Sequence, residues 1–230
     1  MNIIIATIKT WNIEKAKKYR KETSNHNIKV ITEDQELTFE NVSKFKPDYI
    51  FFPHWSKKIE SKIFNNYECI VFHMTDLPYG RGGSPLQNLI ERGREDTQIS
   101  AIKVEEGLDS GDIYLKHPLN LNGSAEEIFI RASKIIFNEM IPEILKENLT
   151  PKKQVGKVVK FQRRKPYQSE LKKDFSLKQI YNYIRMLDAE GYPEAFIDFD
   201  NVKLKFKNAN LKHNKIEADV EIIRKEKEDE

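Results

Sequence analysis

The first half of the chain alternates short apolar runs with polar stretches that suit helices. Asn2–Ile8 is apolar up to its polar end and predicts a buried strand. Lys9-Thr10-Trp11-Asn12 follows, and then Ile13–Lys21 with helical character, for which Asn12 is the expected N-cap. Ile28–Thr32 predicts a second strand, Glu40–Lys46 a short helix, and Tyr49–Phe52 a third strand stopped by Pro53. Lys57–Asn65 offers a helical turn or two, and Cys69–His73 a fourth strand. Repeated strand and helix predict an α/β fold, a mostly parallel sheet with helices on both faces. In such sheets ligands sit beyond the carboxyl ends of the strands. Three polar groups fall at those ends: Lys9–Asn12, Pro53–Lys57 and His73–Arg81.

Further along, Tyr79–Pro85 reads as a glycine-rich loop and Leu86–Arg92 as a helix. Strands follow at Ile99–Val104 and Ile113–Lys116, around the Gly-bounded segment Glu105–Asp112. Ser124–Leu145 predicts a long helix, with a capping box of Ser124 and Glu127. From about residue 150 the composition shifts to Lys, Arg, Gln and Pro, without a helical period as far as 174. Leu177–Leu187 is amphipathic, Gly191–Pro193 turns the chain, and Phe196–Phe199, Val202–Phe206 and Ala218–Ile223 predict a small β-rich C-terminal subdomain. The expected division is 1–150 and 151–230, with a frayed, fully charged end from Arg224 to Glu230.

Composition narrows the classes. The 230 residues are 39% hydrophobic, enough for a core, and Cys69 is the one cysteine, which excludes a disulfide scaffold or a Cys-rich zinc site. No apolar run approaches the ~20 residues that span a bilayer, so no membrane partner and a soluble, cytoplasmic protein are expected. Thirty-nine Lys and Arg against 36 Asp and Glu leave a formal charge of +3, too little to imply nucleic acid. The histidines at 26, 54, 73, 117 and 213 are too dispersed for a metal motif, and no metal is expected.

The sharpest candidate is His73, leaving a strand, with Asp109 in the second Gly-bounded loop. An imidazole exchanges protons near neutral pH, and a carboxylate can orient it and stabilise its cation; a structural histidine at a strand end fits the same pattern. Gly80-Arg81-Gly82-Gly83 reads as an anion cradle with a guanidinium fork or as a tight turn, and it lacks the spacing of a nucleotide-binding loop. Lys9, Thr10, Trp11 and Asn12 read as an anion site at a helix N-terminus, or as a capped helix with Trp11 in the core. Trp55 fits the wall of a pocket or plain packing. The seven cations of Lys152–Lys165 fit a solvated connector better than an RNA contact, because acids return by Glu170 and Asp174.

Cys69-Ile-Val-Phe-His73-Met-Thr-Asp-Leu-Pro78-Tyr-Gly-Arg81-Gly82 and Gly107-Leu-Asp109-Ser-Gly-Asp112 together resemble the folate-dependent formyltransferases over about residues 1–150. Phe161–Pro166 and Ile184–Pro193 resemble the short C-terminal part of the sugar N-formyltransferases. Phe52-Pro-His-Trp-Ser56 with Val71–Pro85 is similar to the formyltransferases of pseudaminic-acid-type nucleotide sugars and to the formylation domains of nonribosomal peptide synthetases.

The resemblance implies a Rossmann-like fold, catalytic His73 and Asp109, and 10-formyltetrahydrofolate as donor. It seats the pterin between the loops at Pro53–Lys57 and Glu105–Asp109, with Trp55, Lys57, Leu77, Glu105 and Gly107 as the donor contacts. The acceptor amine would approach Lys9, Thr10, Trp11, Asn12 and Arg81. The acceptor it favours is a small nucleotide-activated amino sugar, CMP-linked, with no nucleic acid partner; it allows a homodimer. A carrier-bound aminoacyl group is the alternative acceptor, and a non-catalytic RNA-binding module the alternative from another class. Val71 stands where the family has a catalytic Asn, and valine offers no hydrogen bond to an oxyanion. His54 is the first candidate to replace that donor, with Asn88 or Gln87 behind it.

Overall fold

A computed structural model describes residues 1–147 and 149–225. The chain runs β1 (Asn2–Ala6), α1 (Thr10–Glu22), β2 (Asn27–Ile31), α2 (Phe39–Phe45), β3 (Tyr49–Phe52), α3 (Ser61–Phe64), β4 (Glu68–His73), β5 (Tyr79–Gly82), α4 (Pro85–Glu91), β6 (Asp96–Lys103) and β7 (Ile113–Asn120). It continues through α5 (Ala125–Ile135), α6 (Ile141–Glu147), β8 (Val159–Phe161), α7 (Leu177–Arg185), β9 (Ala195–Phe199), β10 (Val202–Leu211) and β11 (Ile216–Arg224).

Six strands form the main sheet in the order β2-β1-β3-β4-β6-β7. The first four are parallel, β6 runs antiparallel beside β4, and β7 pairs antiparallel with β6 and so runs with the first four. Alternation along each strand divides the core in two. Ile3, Ile5, Phe51, Ile70 and Phe72 face α1, α4 and α5, whereas Ile4, Ala6, Ile50, Phe52 and Cys69 face α2 and α3. This is the mixed α/β, Rossmann-like architecture with helices on both faces, and β9–β11 add the C-terminal three-stranded antiparallel sheet.

Several elements differ from the sequence reading. The expected glycine loop is in part a strand: β5 pairs in parallel with β8, about eighty residues on, and Phe161 of β8 is buried. The expected solvated connector therefore supplies a strand beside the site. Lys9, not Asn12, is the N-cap of α1, with a left-handed φ of 76°. Asn12 points inward and is buried: its amide donates to Thr7 Oγ1 (2.8 Å) and Pro53 O (2.9 Å), and its oxygen accepts from Ser133 Oγ (2.5 Å). A buried amide must find such partners, and these pin the end of β3 to α1 and α5. The helix expected over Ser124–Leu145 begins with the expected capping box, but a single π turn at Ile136–Met140 separates α5 from α6. Residues 226–230 of the expected frayed end lie outside the described residues. Among the described residues, no helix is long and apolar enough to cross a membrane.

Candidate active site

His73 is the last residue of β4, on the α2/α3 side of the sheet by the alternation set by Cys69 and Val71. Its ring is bound from two sides. Nε2 lies 2.8 Å from the carbonyl of Gly80. A carbonyl only accepts, so Nε2 carries the proton, and Nδ1 is the atom left to exchange one. Nδ1 faces Asp109 Oδ2 at 3.6 Å, with both side chains largely buried. The same Oδ2 accepts from the Gly82 amide at 2.9 Å. β5 thus holds the histidine with one carbonyl and the aspartate with one amide.

This close approach dictates two local features. Gly82 has φ 118°, and a Cβ there would sit 2.2 Å from the Phe161 carbonyl oxygen of β8. Asp109 has φ 48°, a left-handed conformation that costs a non-glycine residue roughly 1–3 kcal/mol and persists only where its surroundings enforce it.

Val71 is half-buried on the same face as His73, beside the half-buried Trp55, Ile59 and Val104. All four pack against the apolar cluster of Ile4, Ala6, Ile50, Phe52 and Cys69. The indole N–H of Trp55 is buried there without a partner. Of the other expected donor contacts, Leu77 is buried beside Ser100 and joined to Pro78 by a cis peptide. Lys57 is exposed, 3.5 Å from Asp34, and Glu105 and Gly107 are exposed on the outer loop.

The remaining expected site residues make contacts within the chain. Lys9 Nζ donates to the Glu190 carbonyl (2.7 Å) and lies over the Tyr192 ring, while Thr10 Oγ1 donates to Glu190 (3.1 Å). The C-terminal part of the chain therefore covers the start of α1. Trp11 stacks on Phe129, which stacks on Tyr192. Arg81 gives Nε and Nη2 to Gln154 Oε1 at 3.0 and 2.8 Å, which takes up one edge of its guanidinium.

None of the three proposed oxyanion donors stands free beside Val71. His54 leaves β3 with φ 56° and packs edge-on against Phe129 (4.9 Å) and Trp11 (5.8 Å), in the layer of α1 and α5. Val71 lies in the opposite layer. Asn88 donates to the carbonyls of Gly83, Ser84 and Gln162, and Gln87 to that of Met186.

Burial, with a smaller contribution from the nearby Lys9 charge, lowers His54 from 6.5 to about 4. The folded state therefore resists protonating His54, and the unfolded chain binds the extra proton as pH falls below 6.5. This destabilises the fold progressively between pH 6.5 and 4, by on the order of 3 kcal/mol at the acid end. His54→Asn, which tolerates the left-handed φ, is expected to flatten the fall of Tm across that window.

The comparisons with known proteins accord with this geometry. The family model described as Formyl transferase matches residues 9–128. It spans just over half of the chain. The chain belongs to the formyl transferase family. A second model, described as Methionyl-tRNA formyltransferase, C-terminal domain, matches residues 166–223 of this formyl transferase. Folate-dependent N-formyl transfer, with 10-formyltetrahydrofolate as donor, is the chemistry of the family. Among the described residues no cluster of His, Cys, Asp or Glu could hold a metal ion.

A solved methionyl-tRNA formyltransferase from Clostridium thermocellum is 61% identical, covers 98% of this chain and 100% of that one, and superposes with a TM-score of 0.97. The methionyl-tRNA formyltransferase of Campylobacter lari is 33% identical over 137 residues, 57% of this chain and 45% of the relative. The chain spans about half to two thirds of the length of the first curated relatives it matches. A sugar N-formyltransferase from Shewanella has a TM-score of 0.68 at 14% identity, a likeness of fold alone.

These findings overturn the acceptor expected from the sequence. The CMP-linked amino sugar, the carrier-bound alternative and the exclusion of nucleic acid do not stand against a 61% identical methionyl-tRNA formyltransferase, nor does the non-catalytic module against the family match.

Proposed function

We propose that the chain transfers a formyl group from 10-formyltetrahydrofolate to the amine of methionyl-tRNA, with His73 and Asp109 as its catalytic pair. The observation that carries the reading is the end-to-end likeness to the Clostridium thermocellum protein. The surface beside the site supports it. Lys152, Lys153, Lys157, Lys160, Arg163 and Lys165 are exposed along the segment that pairs with β5, and Tyr167, 68% exposed, offers a stacking face among them. Cations interleaved with an aromatic suit a nucleic-acid strand. A location in the cytoplasm, where methionyl-tRNA is used, fits the same reading.

When bound, the donor supplies a formyl carbonyl next to nitrogen, an electrophile for a neutral amine. Trp55, Val71 and Val104 offer it an apolar surface. Nδ1 of His73 takes the proton that the attacking amine loses and returns it to the donor nitrogen as the bond between that nitrogen and the formyl carbon breaks, which releases tetrahydrofolate. Asp109 stabilises the resulting imidazolium, and the Gly80 carbonyl keeps the ring in register. Because Val71 donates nothing, the proton held at Nδ1 is the polar hydrogen this face offers to developing charge. In this reading residues 1–150 carry the chemistry, and 151–225 both brace the site and meet the tRNA.

Charge tests the partner. Lys157→Glu, Lys160→Glu and Arg163→Glu together are expected to raise KM for methionyl-tRNA without changing KM for the donor. They should also lower the slope of log affinity against log salt by about 2 to 3, at 0.7–0.9 per phosphate contact. An unchanged salt slope would remove this strip from the tRNA interface.

A further inference from the structure

Gln154 lies in the segment whose sequence reads as a solvated connector, yet its side chain makes four hydrogen bonds at the site. Its Nε2 donates to the main-chain carbonyls of Asp109 and Gly111, both at 2.9 Å. Its Oε1 accepts from Arg81 Nε and Nη2 at 3.0 and 2.8 Å. Both amide protons and both lone pairs are used. The two carbonyls flank Ser110, in the turn where Asp109 holds its left-handed φ of 48°. Arg81, on the other side, is the residue between Gly80, which binds His73, and Gly82, which binds Asp109.

We infer that Gln154 is the positioning residue of the His73–Asp109 pair, joining the Asp109 turn to the β5 strand that grips the histidine. The inference rests on the catalytic roles proposed above. A carboxylate 3.6 Å from Nδ1 makes a closer hydrogen bond only if its main chain is held where β5 needs it. Gln154 touches neither reacting atom and acts through the Asp109 main chain and Arg81.

Gln154→Glu separates the donor role from packing. It is isosteric and keeps oxygens for Arg81, but it loses both N–H groups and turns a carboxylate toward two carbonyls. Formyl transfer to methionyl-tRNA is expected to lose about 10- to 100-fold in kcat in Gln154→Glu and in Gln154→Ala, the scale of a misplaced catalytic group. KM for 10-formyltetrahydrofolate should stay within about 2-fold, since no donor contact is removed. In an Asp109→Asn background the Gln154 change should cost little more, because it acts through the group already disabled. A merely structural glutamine would lower Tm and slow both backgrounds alike. Asp109→Asn at wild-type kcat would overturn the site reading, and the role of Gln154 with it. A slow Asp109→Asn beside Gln154 variants of wild-type kcat would overturn the role of Gln154 alone.

Discussion

His73→Ala is expected to reduce kcat for formyl transfer by about 10²- to 10⁴-fold, the scale of a lost general acid–base group, with KM for both substrates nearly unchanged. The expectation follows from how the ring is held. Its Nε2–H is committed to the Gly80 carbonyl, so Nδ1 is the proton-exchanging atom. His54, the nearest histidine in sequence, packs among aromatics on the other side of the sheet. Asp109→Asn should fall in the same range for a different reason: an amide oxygen can still accept from Gly82, but it does not stabilise an imidazolium as a carboxylate does. Each substitution is expected to leave a protein that folds and binds donor, so that the loss falls on kcat. Single-turnover rates with saturating donor and methionyl-tRNA read it directly.

Gly82→Ala carries the largest expected effect on stability. A residue with a side chain at φ 118° is strained, and its Cβ would meet the Phe161 carbonyl of β8 at 2.2 Å. The obstacle is backbone, so relief requires β8 to move away from β5. Strain and forced displacement each cost roughly 1–3 kcal/mol. A total of about 3–5 kcal/mol lowers Tm by about 10 °C in a domain of this size. Gly93→Ala is the control: its φ is 71°, but nothing lies within 4 Å of the added Cβ. That variant should lose only the local strain, roughly 1–2 kcal/mol. Comparable Tm losses in both would mean that the β5–β8 contact tolerates separation.

The main sheet was legible because its strands are short, apolar and regularly spaced. Every expected strand from residue 2 to residue 120 is present, with ends shifted by a few residues. The His73–Asp109 pair was legible because His73 ends an apolar strand and Asp109 stands in a loop bounded by Gly107 and Gly111. What escaped depends on pairings distant in sequence. β5 has no alternation of its own and is a strand only because Val159–Phe161 lies beside it. Nothing local marks Gln154, since an amide among lysines reads as solvated until its partners at 81, 109 and 111 are seen. Lys9 and Thr10 resembled an anion site because their partner Glu190 is 180 residues away. Asn12 looked like a cap because its position suits one, while the buried carbonyl of Pro53 drew it inward.

The acceptor was illegible for a related reason. In the proposed reading a histidine and a carboxylate handle the proton of an attacking amine, a task that does not depend on what carries the amine. Near-balanced total charge hid the partner as well. The 39 cations and 36 anions nearly cancel, yet six exposed cations are gathered between residues 152 and 165, in the segment around β8. Local charge, and not the sum, is what a polyanion meets.

The central claim is tested most directly by incubating the purified chain with 10-formyltetrahydrofolate and methionyl-tRNA and measuring N-formylmethionine released from the tRNA. The account predicts formylmethionine from the wild-type chain, and almost none from His73→Ala or Asp109→Asn at equal protein and tRNA. Formylation of a free nucleotide amino sugar with methionyl-tRNA left untouched, or formylmethionine formed equally well without His73, would contradict it.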